Sequence, residues 1–203
     1  CVKKRGMARR RIRFFRVMTL WTVWPTSVER VTARTVARQV VRLSGKLNDA
    51  RARPLASVVM VGAHLDSVDE GPGIQDNGSG SAAILEVALQ MKKVNSRNNV
   101  RFAWWGAEES GLVGSTRYVQ GLSPEELDKI ALYLNFDMVG SPNHVFFIYD
   151  GDDSDGVGAG PGPEGSAQIE KTFEDYYTSV GQPFQGTDFS GRSDYGPFIA
   201  VGN

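Results

Sequence analysis

The sequence predicts an α/β fold, a mostly parallel mixed sheet sandwiched by helices. Three observations predict it. From Ser57 onward, short apolar runs alternate with segments of helical period, the pattern of a parallel sheet with crossover helices. Glycine is concentrated in the same region, with 21 of 23 residues lying after Gly45, and supplies turns between elements. Charge separates as well. Residues 1–53 carry 15 Lys+Arg against 2 acids, a net of +13, whereas residues 54–203 carry 8 against 21, a net of −13. The chain therefore reads as a basic segment, 1–53, followed by an acidic partial domain, 54–203.

Each element of the second part has a local reason. SVVMVGAHLDS (57–67) opens on VVMV, an apolar β-branched run suited to a strand buried on both faces. After a Gly/Pro/Asp loop, residues 80–94 place Ala83, Val87 and Met91 four apart, with Ile84, Leu85 and Ala88 widening the stripe of a helix. VRFAWWGAEE (100–109) reads as a second buried strand ending in charge. GSTRYVQGL (114–122) begins a helix, and SPEELDKI (123–130) another, with Ser123 as N-cap, Pro124 at N1 and Glu126 at capping-box spacing. ALYLNFDMV (131–139) is a third buried strand and VFFIYD (145–150) a fourth. Residues 168–181 close as an amphipathic helix stopped by Gly181, and the text running into IAVGN reads as one more strand.

The basic segment is less legible. Lys3, Lys4, Arg5 and Arg9 to Arg11 precede a short apolar stretch, 17–24, as in a targeting sequence, but Arg13 and Arg16 crowd that stretch and no clean cleavage site follows. A nucleic-acid arm is a second reading, without a recognisable stacking module among Phe14, Phe15, Trp21 and Trp24. Residues 28–43 could form a basic amphipathic helix. The favoured reading is that 1–53 is not native to the domain that follows, and that a chain starting at Cys1 is a fragment. The lone cysteine excludes an intrachain disulfide framework, and no apolar run reaches the roughly 20 residues of a membrane-spanning helix. With 41% hydrophobic and 23% charged residues, wholesale disorder is excluded too.

In a parallel α/β sheet, ligands sit beyond the carboxyl ends of the strands. There the first strand offers His64 and Asp66, the second Glu108 and Glu109, and the third Asp137, with Asp76 in the loop after the first. One imidazole and several carboxylates converging in a crevice repel one another unless cations neutralise them, and nitrogen and oxygen donors suit zinc. Each residue alone has a bland explanation: His64 as a core histidine, Asp76 as turn chemistry in DNGSGS, and Glu108 and Glu109 as a solvated face. All of them at the same ends of successive strands point to a metal site.

AHLDS, GIQDNGSGSAAILE, VRFAWWGAEESGLVGS, YLNFDMVGSPN and GRSDYGPF, in this order, resemble the co-catalytic di-zinc aminopeptidases of metallopeptidase family twenty-eight, of the secreted Streptomyces type. The resemblance covers roughly 57–202. It implies that His64 and Asp137 bind one zinc, Glu109 the other, and Asp76 both. It further implies Glu108 as the general base, Asp66 as the residue orienting His64, and Arg192 as a substrate-binding residue. Two Zn²⁺ as cofactors, peptide or protein N-termini as substrates, large apolar first residues, secretion and a monomeric state are expectations of the same kind.

Relatives add a histidine to the second zinc after the GRSD motif, together with an oxyanion-stabilising tyrosine. Neither is found here, and Tyr195 stands where relatives often carry histidine. The expectation is a domain incomplete at both ends, with a weakened second zinc site and little turnover. His144, the remaining histidine, reads as an exposed loop residue. The acidic, glycine-rich loop 151–166 reads as solvated, with Ca²⁺ as a secondary candidate. Two alternatives stay open: a non-catalytic binding module, and a single-zinc acyl transferase resembling glutaminyl cyclase, both on this fold.

Overall fold

Seven consecutive buried residues, Val58–His64, form the central strand β1. The structure is a computed structural model that describes residues 57–96, 98–158 and 160–203. The basic segment 1–53, its candidate helix over 28–43 and the boundary at residue 54 lie outside the described residues. β1 is flanked by β2 (Asn99–Trp105) and β3 (Ile130–Asn135), in the order β2-β1-β3 and with both pairings parallel.

Alternation along β1 builds the two cores. Val59, Val61 and Ala63 face helix α1 (Gly80–Met91) through Ile84, Val87 and Met91, joined by Leu132 and Leu134 and flanked by Ile169 and Phe173 of α4 (Ser166–Ser179). Val58 and Met60 face the other way, toward Trp105, Tyr133, Val119 of α2 (Val113–Gln120) and Phe198 of α5 (Gly196–Ile199). Helices thus cover both faces of a parallel sheet, as the alternating pattern requires. Each aliphatic side chain sealed in this way contributes on the order of 1.5–3 kcal/mol.

Helix α3 (Pro124–Lys129) begins with the full capping box: Glu126 N–H donates to Ser123 Oγ at 3.3 Å, and Ser123 N–H donates to Glu126 Oε2 at 2.8 Å. Gly181, with φ at 67°, lies just beyond α4, as the sequence predicts.

Four expectations are corrected. β2 is an edge strand with alternating exposure, not one buried on both faces; Arg101 points outward and pairs with the Tyr118 hydroxyl. The stripe of α1 is narrower than read, because Leu85 is 51% exposed. β4 (Phe147–Tyr149) does not join the main sheet but pairs in parallel with β5 (Gln185–Thr187), a strand the sequence reading lacked. The text before IAVGN is the single helical turn α5, followed by a turn, because Pro197 starts a helix readily and Phe198 is the one residue drawn fully into the core. A short apolar run cannot by itself separate these outcomes.

The register levels the strand ends that matter. His64 pairs with Trp105, Gly62 pairs with Asn135, and the Phe136 N–H donates to Gly62 O at 2.9 Å. The residues that follow Trp105 and Asn135 therefore leave the sheet beside His64.

Candidate metal centre

His64 is the last residue of β1 and only 1% exposed. Its Nε2 lies 3.1 Å from Asp76 Oδ1 and 3.4 Å from Asp137 Oδ1. All three atoms are buried, and none makes a hydrogen bond. On the other side of the ring, Nδ1 lies 3.1 Å from the backbone oxygen of Asp66 and 3.6 Å from its Oδ1. Asp66 therefore meets His64 mainly through its carbonyl, while its carboxylate accepts the backbone N–H groups of Glu108 and Glu109, each at 3.1 Å.

Local backbone delivers the other donors. Ala107 takes a left-handed φ of 57° immediately before Glu108, turning the chain sharply after β2. Asp76 sits at a kink in the segment Ile74–Ser79 ahead of α1, with non-helical backbone at φ −110° and ψ 97°. Asn77, buried beside it, accepts from the N–H groups of Gly80 and Met138 through Oδ1 and donates to Phe136 O through Nδ2. One amide side chain thus ties the Asp76 turn to the segment bearing Asp137.

Asp137 is held by a relay. Trp105 Nε1 donates to the Tyr133 hydroxyl at 2.8 Å, and that hydroxyl donates to Asn135 Oδ1 at 2.8 Å. Asn135 Nδ2 donates to Ser193 Oγ at 2.9 Å, and Ser193 Oγ donates to Asp137 Oδ2 at 2.8 Å. Gly62 makes room for this relay, since a Cβ there would overlap the Tyr133 hydroxyl.

The electrostatics are those of crowded negative charge. Burial opposes protonation of His64, yet Asp137, Glu108 and Asp76 outweigh it and raise its pKa to about 9. Burial pushes Glu108 up to about 7, reinforced by Asp137, Asp194 and Glu109. Asp76 and Glu109 are also raised, by burial first and by neighbouring carboxylates next. Asp66 runs the other way: its burial is outweighed by the Glu108 and Glu109 N–H groups, which hold it below the usual range. Burial also lifts Asp194, 1% exposed, to about 6.

The donors fall into two overlapping groups whose ligand atoms lie within 4.8 Å of one another: His64, Glu108 and Asp137, and His64, Asp76 and Glu109. One imidazole plus carboxylates is a zinc-type donor set, and the orphaned atoms of His64, Asp76 and Asp137 are what such an ion would engage.

Six of the seven residues singled out in the sequence meet here. Arg192 is not among these donors: its exposed guanidinium pairs with Asp188. His144 is exposed and packs edge-on against Phe146. Tyr195 is buried, with its hydroxyl accepting the Gly191 N–H and its ring stacked on Phe189. Sequence reasoning missed Asn77, Ser193 and Asp194; the only signal for them was polarity inside DNG and GRSD. An apolar groove of about 460 Å³ along β3 and α4 contains none of the six.

Residues 42–203 match the family profile described as Peptidase family M28. An aminopeptidase of Pseudomonas aeruginosa is 63% identical over 147 residues, covering 72% of this chain and 27% of the relative. The probable lipoprotein aminopeptidase LpqL of Mycobacterium tuberculosis is 51% identical over 182 residues, covering 88% of this chain and 36% of the relative. Among solved structures, a zinc aminopeptidase from Bacillus subtilis superposes with a TM-score of 0.62 at 33% identity, covering 73% of this chain and 35% of that one. The chain thus spans about a quarter to a third of the length of these relatives. Among the described residues, no helix is long and apolar enough to cross a membrane.

Proposed function

This chain belongs to peptidase family M28, and from that premise we propose that its protein is a zinc-dependent aminopeptidase. It releases N-terminal residues, large apolar ones foremost, from peptides and proteins, acting as a secreted monomer. The observation that carries this reading is the meeting of His64 Nε2, Asp76 Oδ1 and Asp137 Oδ1, three buried donor atoms without hydrogen-bond partners.

His64 and Asp137 are assigned to one zinc, Glu109 to a second and Asp76 to both. Zinc bound there supplies Lewis acidity, bringing deprotonation of water near neutrality and polarising the scissile carbonyl. Glu108 does the proton work. It takes a proton from the attacking water and passes it to the leaving amine. Asp66 fixes the Glu108–Glu109 backbone, and nearby carboxylates are assigned to the α-ammonium of a substrate. Arg192, exposed and paired with Asp188, is assigned to substrate. Ca²⁺ is kept as a secondary candidate for the acidic loop 151–166.

Metal analysis and leucyl-anilide hydrolysis test the reading. Both are made on the protein extended to the full length of its relatives, where two zinc ions per chain are expected. One ion would instead favour an acyl transferase, and none a binding module. Glu108→Gln keeps zinc and lowers turnover by about 10²–10⁴-fold; near-normal turnover in that variant would remove Glu108 as the base.

A further inference from the structure

The loop between β1 and Asp76 carries apolar side chains that the zinc and proton chemistry leaves unused. Leu65 stands between His64 and Asp66 and is 65% exposed, more than any other large apolar side chain among the described residues. Val68 is 45% exposed, and Ile74, two residues before Asp76, is 52% exposed. Single exposed leucines and valines are ordinary, so exposure alone decides nothing.

Arrangement is what sets these three apart. The loop folds back on itself: Gly73, at φ 64°, comes so close to Ser67 that a Cβ there would lie 2.6 Å from the Ser67 Cβ. Val68 and Ile74, one residue beyond each, therefore stand on adjacent limbs of the loop. Leu65 is anchored at its base, its N–H donating at 2.8 Å to the carbonyl of Trp105, three residues before Glu108. Residues 68–72 are all exposed, and among the described residues neither Asp69 nor Glu70 forms an ion pair. An apolar base next to the metal donors thus leads outward to two uncompensated negative charges. An aminopeptidase meets two problems of shape. The first residue ends the chain, so its side chain suits a closed pocket. The leaving peptide continues, so it needs an open surface leading away from the donors, and this loop is such a surface.

We propose that residues 65–74 form a shelf for the leaving peptide. Leu65, Val68 and Ile74 receive an apolar side chain at the second position of the substrate, and Asp69 and Glu70 favour a cationic residue at the third. The inference rests on the aminopeptidase reading and adds a substrate class to it: peptides whose second residue is apolar and whose third is basic. Half-exposed side chains cover only part of what they touch, so the apolar contact is worth about tenfold in binding rather than the larger factor of a sealed pocket. The acidic pair acts across solvent, so its effect is about two- to fivefold and fades as salt is raised.

The test uses zinc-loaded protein extended to the full length of its relatives. Leucyl-phenylalanyl-lysine amide is expected to exceed leucyl-alanyl-lysine amide about tenfold in kcat/KM, with the change carried by KM. It exceeds leucyl-phenylalanyl-glutamate amide by about two- to fivefold at low salt. Val68→Ser and Ile74→Ser each reduce the phenylalanine-to-alanine ratio by about threefold, and Asp69→Asn with Glu70→Gln abolishes the lysine-to-glutamate ratio. A ratio taken within one protein is not moved by partial loss of folded material. The same order of affinities is expected when these peptides are titrated calorimetrically into Glu108→Gln, where turnover does not intervene. Leucyl-anilide, which has no second residue, separates the two readings. Its hydrolysis together with equal kcat/KM for the three tripeptides would overturn the shelf and leave the aminopeptidase standing. Parental ratios in both Val68→Ser and Ile74→Ser would overturn the shelf as well. Failure to hydrolyse leucyl-anilide would overturn the aminopeptidase reading, and equal peptide affinities in the calorimeter would overturn the shelf independently of it.

Discussion

The Asp66 carboxylate accepts the backbone N–H of Glu108 through Oδ1 at 3.1 Å, and its second oxygen holds the N–H of Glu109 in the same way. A side chain at the end of one strand thus fixes the backbone that follows its neighbour, and with it both glutamates. Asp66→Asn keeps one acceptor but turns an amide toward the other N–H. The expected loss is about 1–3 kcal/mol of stability, the cost of a mismatched donor, with turnover falling more steeply than zinc content. Thermal denaturation and metal analysis check this. A variant that keeps both its turnover and its stability would mean that Asp66 does not hold the glutamates in place.

Removing metal should make stability strongly pH dependent. Glu108 moves from an ordinary 4.5 to about 7 in the folded chain, Asp194 from 3.8 to about 6, and His64 from 6.5 to about 9. Between each pair of values the folded chain holds more protons than the unfolded one, so stability falls as pH rises through that window. With chelator present, the thermal midpoint is therefore expected to decline from about pH 5 to about pH 9. Asp66, held below its ordinary 3.8, acts in the opposite sense only at lower pH. Zinc ligands must be deprotonated, so the stabilisation by added zinc should grow across the same window. A chelated chain that gains stability from pH 5 to 9 would contradict the assigned shifts.

The parts of this architecture that were legible in the sequence are those where chemistry interrupts an apolar run. His64 and Asp137 stand out because strands of Val, Met and Leu do not end in buried ionisable groups without a reason. Glu108 and Glu109 follow an aromatic run for the same reason. Strand order was not legible from apolar content, although Arg101 inside VRFAWW is a physical signal for an edge, since a strand covered on both faces has no outlet for it. Asn77, Ser193 and Asp194 escaped because Asn, Ser and Asp beside glycine read as exposed turns. Their burial arises only when the loops of residues 74–79 and 188–195 close over the strand ends, a tertiary event with no local pattern.

Asn77 gives the next prediction. It makes three hydrogen bonds from a buried position and joins the Asp76 turn to the backbone around Asp137. Asn77→Ala leaves two N–H groups and a carbonyl without partners and is expected to cost roughly 2–4 kcal/mol. Zinc affinity should fall with it, because Asp76 and Asp137 are no longer held against His64. Denaturant titration and zinc competition measure the two effects. Full affinity in a folded Asn77→Ala protein would show that the turn holds its shape without the tie.

The relay from Trp105 to Asp137 makes the most selective prediction, because its last member touches a proposed ligand and its first is distant in sequence. Ser193→Ala removes only the hydroxyl that donates to Asp137 Oδ2. The carboxylate then loses its orientation, and partners of this kind are worth about 10–100-fold in metal affinity. The fold should survive at a cost of about 1–3 kcal/mol, since Asn135 Nδ2 loses its acceptor while the core around Tyr195 and Phe198 is untouched. Gly62→Ala attacks the same relay from the other end, displacing the Tyr133 hydroxyl and crowding Trp105 Nε1 within 2.7 Å. That substitution also overpacks the core and should cost about 1–3 kcal/mol. If the relay positions Asp137, both variants weaken zinc binding, and the double variant does so by less than the product of the two effects, because each breaks one connected chain. Independent, multiplying effects in that cycle would mean that Ser193 acts on Asp137 alone and that the tyrosine and tryptophan serve only the core.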